Sequence, residues 1–355
     1  MNVLFTSRST LFSQPGGDTL QVEQTAKYLR EIGHHVDIKL CGEKIDVTKY
    51  DIIHFFNIIR PADLKLKVPK HIPLIASSIY HDYSEYDSKY RSAFSKVLYK
   101  LFGKFGMEYI KVNLRWLNGS DKFPGLKFLL SGNRKSIKAL LKQSQFMFTT
   151  SHQEAELINK DIGFIPAYKK VNLGSEHISV QPSSSRQGVL CAARIEGFKN
   201  QLNLIKALKK TDIPLSLTGS AAANHSTYYE TCKSEAGENV TFKGRLSKED
   251  LEKEFGKAKV HALISFYETT GLSTLEALKA GCNVVITDRG AQKEIFGNHA
   301  HYCEPTDIDT IKQAVETAMA DESNHQKWVE ENFSWKNAAQ EISDIYQSLM
   351  KDSTT

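Results

Sequence analysis

Short β-rich runs alternate with helical stretches twice over in this chain, and that alternation limits the fold more than any other feature. VLFTS (3–7) precedes the helical stretch GGDTLQVEQTAKYLREIG (16–33), which Gly33 closes. HVDIKL, DIIHFF and PLIASSI read as further buried strands. After FMFTTS and KKVNLG comes SVQPSSSRQG (179–188), whose Ser, Pro and Gln content marks a linker. A second set follows: GVLCAA, the helical NQLNLIKALKK, then PLSLTG, NVTFKG, VHALISF, a helix within YETTGLSTLEALKAG (267–281), and NVVITD. Strands separated by helices imply parallel sheets with crossover helices. The expected class is α/β, with two Rossmann-like parallel sheets in tandem. The expected boundaries are 1–178, a linker at 179–187, 188–332, and a final helix within 333–355.

The 355 residues suit two domains of ordinary size, and 41% hydrophobic with 25% charged residues is a globular composition. No apolar run approaches the roughly 20 residues of a membrane span. MNVLFTS reads as a first strand, without the basic and apolar regions of a secretory signal. Five scattered cysteines without a CxxC pair imply reduced thiols in a cytoplasmic protein rather than a zinc site. The net charge of +5 is unevenly spread: residues 1–175 hold 26 Lys+Arg against 16 Asp+Glu, and 176–355 hold 20 against 25. Opposite signs point to two domains with different partners.

In open α/β sheets ligands bind beyond the carboxyl ends of the strands, so polar residues just after strands carry the functional reading. In YETTGLSTLEALKAG (267–281), Glu268 follows a strand and Glu276 falls in the second turn of the next helix. Thr269 and Thr270 are placed to cap that helix. Gly271, Leu272 and Ser273 present backbone N–H groups at its positive end, which suits a phosphate. A carboxylate at Glu276 suits a ribose diol. The alternative is a solvated helix face. ARIEGFKN (193–200) puts Arg194 and Lys199 on one strand-to-helix loop, able to clamp a diphosphate or to be ordinary surface charges. Gly16 and Gly17 open the first helix, but neither GxGxxG nor a P-loop occurs. His81 and Asp82 follow another strand. Asp307 and Asp309, the only Asp-x-Asp, read as a helix start rather than a metal site.

These stretches, in this order, resemble the retaining GT-B glycosyltransferases of family four, over essentially the whole chain. The carriers are the early Gly-Gly with YLREIGHHV, SHQEAELI, RIEGFKNQ, the E-x7-E of Glu268 and Glu276, and FSWKNAAQEISDIYQSL. The resemblance implies two domains facing across a cleft, with the last helix returning to the first. It implies a hexosyltransferase using a nucleoside-diphosphate sugar, UDP favoured over GDP, and a glycan or lipid-linked acceptor. Arg194 and Lys199 would contact the diphosphate, Glu268 the donor sugar and Glu276 the ribose. Gly271, Leu272, Ser273 and Gly17 would meet the phosphates, and His81 would lie beside the transferred sugar. No metal or other cofactor is required. Two departures stand out. Thr269 and Thr270 replace the family's usual Gly and apolar residue, and DRGAQKEI differs from its Gly-Gly-x-x-Glu loop, leaving Glu294 a candidate contact only. The competing readings are a sugar-nucleotide epimerase or phosphorylase, or a degenerate adaptor of the same architecture.

Residues 89–142 hold thirteen Lys+Arg, two acids and interleaved aromatics. Drawn as one helix, Lys96, Lys100, Lys104, Lys111 and Arg115 share a basic arc, while Phe94, Leu98, Leu101, Phe105, Tyr109 and Val112 share another side. That pattern suits the anionic inner face of a plasma membrane. The plainer alternative packs the apolar side into the domain. Nucleic acid is not expected, because no binding motif accompanies the charge.

Overall fold

The computed structural model describes residues 1–175, 185–222 and 225–352. The first half runs β1 (Asn2–Ser7), α1 (Gly17–Glu31), β2 (His35–Leu40), β3 (Ile52–Phe56), β4 (Leu74–Ser77), α2 (Ser84–Lys89), α3 (Ala93–Leu117), α4 (Leu126–Gln143), β5 (Phe146–Thr149), α5 (His152–Ile162) and β6 (Tyr168–Lys170). The second runs β7 (Val189–Ala192), α6 (Gln201–Leu208), β8 (Leu215–Thr218), α7 (Ser226–Glu235), β9 (Val240–Gly244), α8 (Lys248–Lys257), β10 (Val260–Leu263), α9 (Leu272–Lys279), β11 (Asn283–Thr287), α10 (Gln292–Phe296), β12 (His301–Cys303), α11 (Ile308–Ala320), α12 (Gln326–Asn332) and α13 (Trp335–Asp352). The chain divides into Met1–Gly174 with Trp335–Thr355, and Ser175–Ser334. Of the expected linker, 179–184 lie outside the described residues; Gln187 already donates its N–H to Lys257 O in the second unit.

Each unit is built on a six-stranded sheet, ordered β2-β1-β3-β4-β5-β6 in the first and β12-β11-β10-β7-β8-β9 in the second. Every pairing is parallel, as the alternation of strands and helices requires. Strands covered on both faces read as continuous apolar runs, and β3, β7, β10 and β11 are buried throughout. Helix α1 buries Val22, Ala26 and Leu29, spaced to fall on one face, and the chain turns out at Gly33 with φ +91°. The last helix completes the first unit: Ala338, Ala339, Ile342 and Tyr346 of α13 share its core with Val22 and Ala26. At its start Gly174 lies so close to Trp335 that a Cβ would overlap the Trp335 backbone.

The strand order also fixes where ligands belong. In the first sheet the order reverses at β1, and in the second at β7. Loops leaving neighbouring strands on either side of such a reversal diverge and leave a crevice. In the second unit those are the loops after β7 and β10.

The basic segment departs from the single-helix picture. Helix α3 is broken at Gly103 (φ +61°, ψ −174°), so residues before and after it do not share one helical phase. Lys104, Lys111 and Arg115 turn to Asp82 and Asp161, to Asp87 and Glu108, and to Asp121 respectively. The five-residue basic arc therefore does not exist as a surface, and only Lys96 and Lys100 of it stand exposed.

Candidate active site

In the second unit the loop after β7 carries Arg194 to Lys199 and ends in a 3-10 turn, Gly197–Lys199. Asn200 follows in the left-handed conformation, φ +60°, which Asn tolerates better than most residues. Its buried carboxamide donates to Ile264 O at 3.3 Å and Pro305 O at 2.6 Å. The Phe266 N–H donates to Phe198 O at 3.0 Å, tying this turn to the loop after β10. Lys199 is thereby aimed at that loop, and its ammonium meets the Glu268 carboxylate. Glu268 is buried, and Ser265 Oγ also donates to it at 2.6 Å. Charges this enclosed are held by pairing, since a lone buried carboxylate is strongly disfavoured.

Behind Glu268 the loop after β11 closes in. Gly290, at φ +69°, runs so near that a Cβ would overlap the Glu268 carbonyl oxygen, and Ala291 N donates to that oxygen at 3.1 Å. In front, Gly271 occupies the N-cap of α9 at φ +70°, with no side chain capping the helix. Neither threonine caps α9: the helix begins at Leu272, one residue beyond the reach expected of them. Thr270 Oγ1, Thr274 Oγ1 and both polar atoms of the Gln292 carboxamide are buried there without hydrogen-bond partners. Four orphaned polar atoms beside the open N–H groups of a helix start make this the least satisfied polar region of the unit among the described residues.

The second unit thus brings together Lys199, Glu268 and the Gly271–Leu272–Ser273 turn, with half-buried Glu276 in the following helical turn. Arg194 is more peripheral, 54% exposed at its side chain and 3.2 Å from Glu196. Ser265, Asn200 and Gln292 were not among the expected site residues; Asn200 alone carried a readable signal, as an Asn directly before a helix. Asp307 accepts from the N–H groups of Asp309 and Thr310 and caps α11.

In the first unit, Arg8 locks the loop after β1 with a two-pronged contact to Asp18 at 2.7 and 3.0 Å. This presents Gly16 and exposed Gly17 at the start of α1. The loop after β4 is held by Glu154, which is buried and accepts from Ser78 Oγ, Tyr80 N, Thr150 N and Thr150 Oγ1 at 2.6–2.9 Å. Within it Ile79 adopts φ +45°, a strained conformation for a β-branched residue. His81 follows and stacks on Tyr83, ring centroids 5.9 Å apart, and borders a narrow recess between α2, α3 and α4.

Residues 176–335 match the family model described as glycosyl transferases group 1. The matched residues span nearly the whole of the second unit. Over 160 residues, 43% of its length, this chain is 33% identical to poly(glycerol-phosphate) alpha-glucosyltransferase of Bacillus subtilis (strain 168), covering 23% of that protein. An uncharacterised glycosyltransferase of Methanocaldococcus jannaschii is 26% identical over 234 residues, 60% of this chain and 59% of its own length. The chain thus spans less than two thirds of either relative. Among solved structures, sucrose-phosphate synthase from Thermosynechococcus elongatus superposes with TM-score 0.73 at 15% identity, covering 99% of this chain and 100% of that one. Anabaena HepE in complex with UDP and glucose superposes with TM-score 0.66 at 16% identity, over 98% and 100%. The two parallel six-stranded sheets show the fold of these GT-B glycosyltransferase structures, and the residues that match the group 1 model build the second sheet.

Proposed function

We propose that this protein is a retaining hexosyltransferase. It moves a hexose from a nucleoside-diphosphate sugar, UDP rather than GDP, to a hydroxyl of a lipid-linked or cell-surface glycan. The observation that carries this reading is the Lys199–Glu268 pair at the strand-order reversal of a group 1 domain, beside the unsatisfied start of α9. The relatives named above, one a glucosyltransferase and one a structure holding UDP and glucose, support it.

Lys199 and Glu268 satisfy each other's charge. A donor replaces that arrangement from both sides: its diphosphate takes the Lys199 ammonium, and its sugar hydroxyls donate to Glu268. Arg194 adds a second cation, the N–H groups of Gly271, Leu272 and Ser273 hold phosphate oxygens, and Glu276 accepts from the ribose diol. Gly17 and His81 keep the roles the resemblance gives them. The bond from the anomeric carbon to the phosphate oxygen breaks, the acceptor oxygen bonds to that carbon on the same face, and its proton passes to the departing phosphate. Charge grows on that phosphate in the transition state, so donors aimed there accelerate the step. Loss of one typically costs roughly 3–4 kcal/mol of transition-state stabilisation. No metal or further cofactor enters this reading.

The chain is further proposed to work in the cytoplasm, attached peripherally to the anionic inner face of the plasma membrane. No helix among the described residues is long and apolar enough to cross a membrane.

The test is product analysis with labelled UDP- and GDP-hexoses and a detergent extract of acceptors. Label appearing in an acceptor with the donor's anomeric configuration supports the proposal. Label confined to nucleotide or to free sugar phosphate would identify an epimerase or a phosphorylase instead. Near-normal turnover by Glu268→Gln would remove Glu268 from the sugar site.

A further inference from the structure

Large hydrophobic side chains stand exposed at thirteen described positions, and ten of these lie between Tyr90 and Leu130. The densest exposure falls on two leading segments. Residues 93–102 precede the break of α3 at Gly103, and residues 126–131 precede a matching break of α4 at Gly132 (φ +74°, ψ +175°). No residue of 93–102 is buried, and Phe94 and Leu101 are 73% and 70% exposed. On the second segment Leu126 and Leu130 reach 71% and 89%. Beyond each glycine the helix rejoins the body: Met107 and Val112 of α3, and Asn133 and Ile137 of α4, are buried. A concentration of apolar surface this local marks an interaction site.

Charge selects the occupant. Lys96 and Lys100 on the first segment and Lys127 on the second are exposed, and none has an ion-pair partner among the described residues. No acidic residue occurs from Lys89 to Met107 or from Lys122 to Gln153. The two acids within 89–142, Glu108 and Asp121, are engaged by Lys111, Arg60 and Arg115. A second copy of this chain would oppose like charges across the patch. Nucleic acid would match the lysines and leave Phe94, Leu101 and Leu130 in water. A bilayer containing anionic lipid answers both features, with phosphates for the lysines and acyl chains for the apolar tips.

We infer that the two glycine-broken helix ends, 93–102 and 126–131, form a membrane-insertion element that buries its apolar tips among the lipids. The inference rests on the peripheral attachment proposed above and adds what enters the bilayer. The segments after the two breaks, with Lys104 and Asn133 first in each, line the recess that His81 borders, so this element sets that recess near the lipid surface.

The five native cysteines are buried, so a Leu130→Cys variant accepts an environment-sensitive fluorophore selectively. The probe is a vesicle of phosphatidylcholine with about 30 mol% phosphatidylglycerol, in about 0.15 M salt. The expected result is co-sedimentation together with a blue shift of the label. Neutralising Lys96, Lys100 and Lys127 to Gln should lower partitioning about a hundredfold, at roughly fivefold per lysine. Leu101→Ser with Leu130→Ser should lower it at least about tenfold. Both variants alter only exposed side chains, so the unfolding temperature should match the wild type. Sedimentation with an unshifted label, or unaffected by the serine pair, overturns insertion and leaves electrostatic attachment standing. No sedimentation at all overturns both. A label shift that grows with protein concentration in the absence of vesicles assigns the patch to a second copy and overturns the inference.

Discussion

Replacing Lys199 by Met removes a charge while keeping most of the side-chain volume, and it isolates the pair on which the site depends. The two side chains are 18% and 8% exposed, and after the change Glu268 loses its cation while Ser265 Oγ still donates to it at 2.6 Å. Breaking a buried pair by removing one partner costs about 3–5 kcal/mol. Partial water access through the Lys199 side places this case near the lower figure, about 3 kcal/mol. A unit the size of Ser175–Ser334 loses roughly 2–4 °C per kcal/mol, so its transition should fall by about 9 °C. The double variant Lys199→Met with Glu268→Gln leaves no charge unpaired and should lose only about 1 kcal/mol, a coupling of at least about 2 kcal/mol. Scanning calorimetry of the wild type, both single variants and the double, without nucleotide, supplies the cycle. Single-variant losses that simply add, within about 0.5 kcal/mol, would refute the pairing.

Three further outcomes follow from the same structure. Burial holds His54 down to about 3 and His261 down to about 4, against an ordinary histidine value near 6.5. Both are neutral when folded and take up a proton only on unfolding, so stability rises with pH; the loss starts as pH falls below about 6.5 and grows towards the folded values, reaching about 2 kcal/mol per histidine at pH 5. Melting temperature that stays flat between about pH 7 and 5 would contradict this. Glu154→Ala strands the hydrogen-bonding groups of Ser78, Tyr80 and Thr150 and should destabilise the first unit by about 3 kcal/mol while lowering transfer. Glu154→Gln should recover part of both, as read by melting and by turnover. Gly290→Ala places a methyl group against the Glu268 carbonyl in a backbone conformation that suits glycine; it should cost at least about 2 kcal/mol and weaken donor binding, measured by thermal shift and titration.

The two sheets were legible because strands buried on both faces advertise themselves as short apolar runs, as in VHALISF and NVVITD. The last helix was legible for a related reason, since WKNAAQEISDIYQSLM keeps an apolar stripe whose Ala338, Ile342 and Tyr346 enter the first core. Candidate side chains could be listed from the sequence, because functional groups sit just after strands. Their mutual arrangement could not, since Lys199 and Glu268 are 69 positions apart and meet only through the neighbouring strands β7 and β10. Ser265 and Gln292 carry no local pattern at all; their meaning arises from burial beside Glu268 and Gly271. The helix start was misjudged because a left-handed Gly271 moves the N-cap one residue beyond Thr270. The basic segment was misread for a geometric reason: one non-helical glycine resets the phase of every residue after it, so a helical wheel drawn through Gly103 groups side chains that point apart.

The most direct test is calorimetric titration of the protein with UDP and GDP. The expected result is saturable one-to-one binding of UDP that Lys199→Met weakens about a hundredfold, the size of one lost charge-assisted contact, with a smaller loss for Glu276→Gln. Absence of binding by either nucleotide, or a UDP affinity unchanged by Lys199→Met, would contradict the assignment of this site.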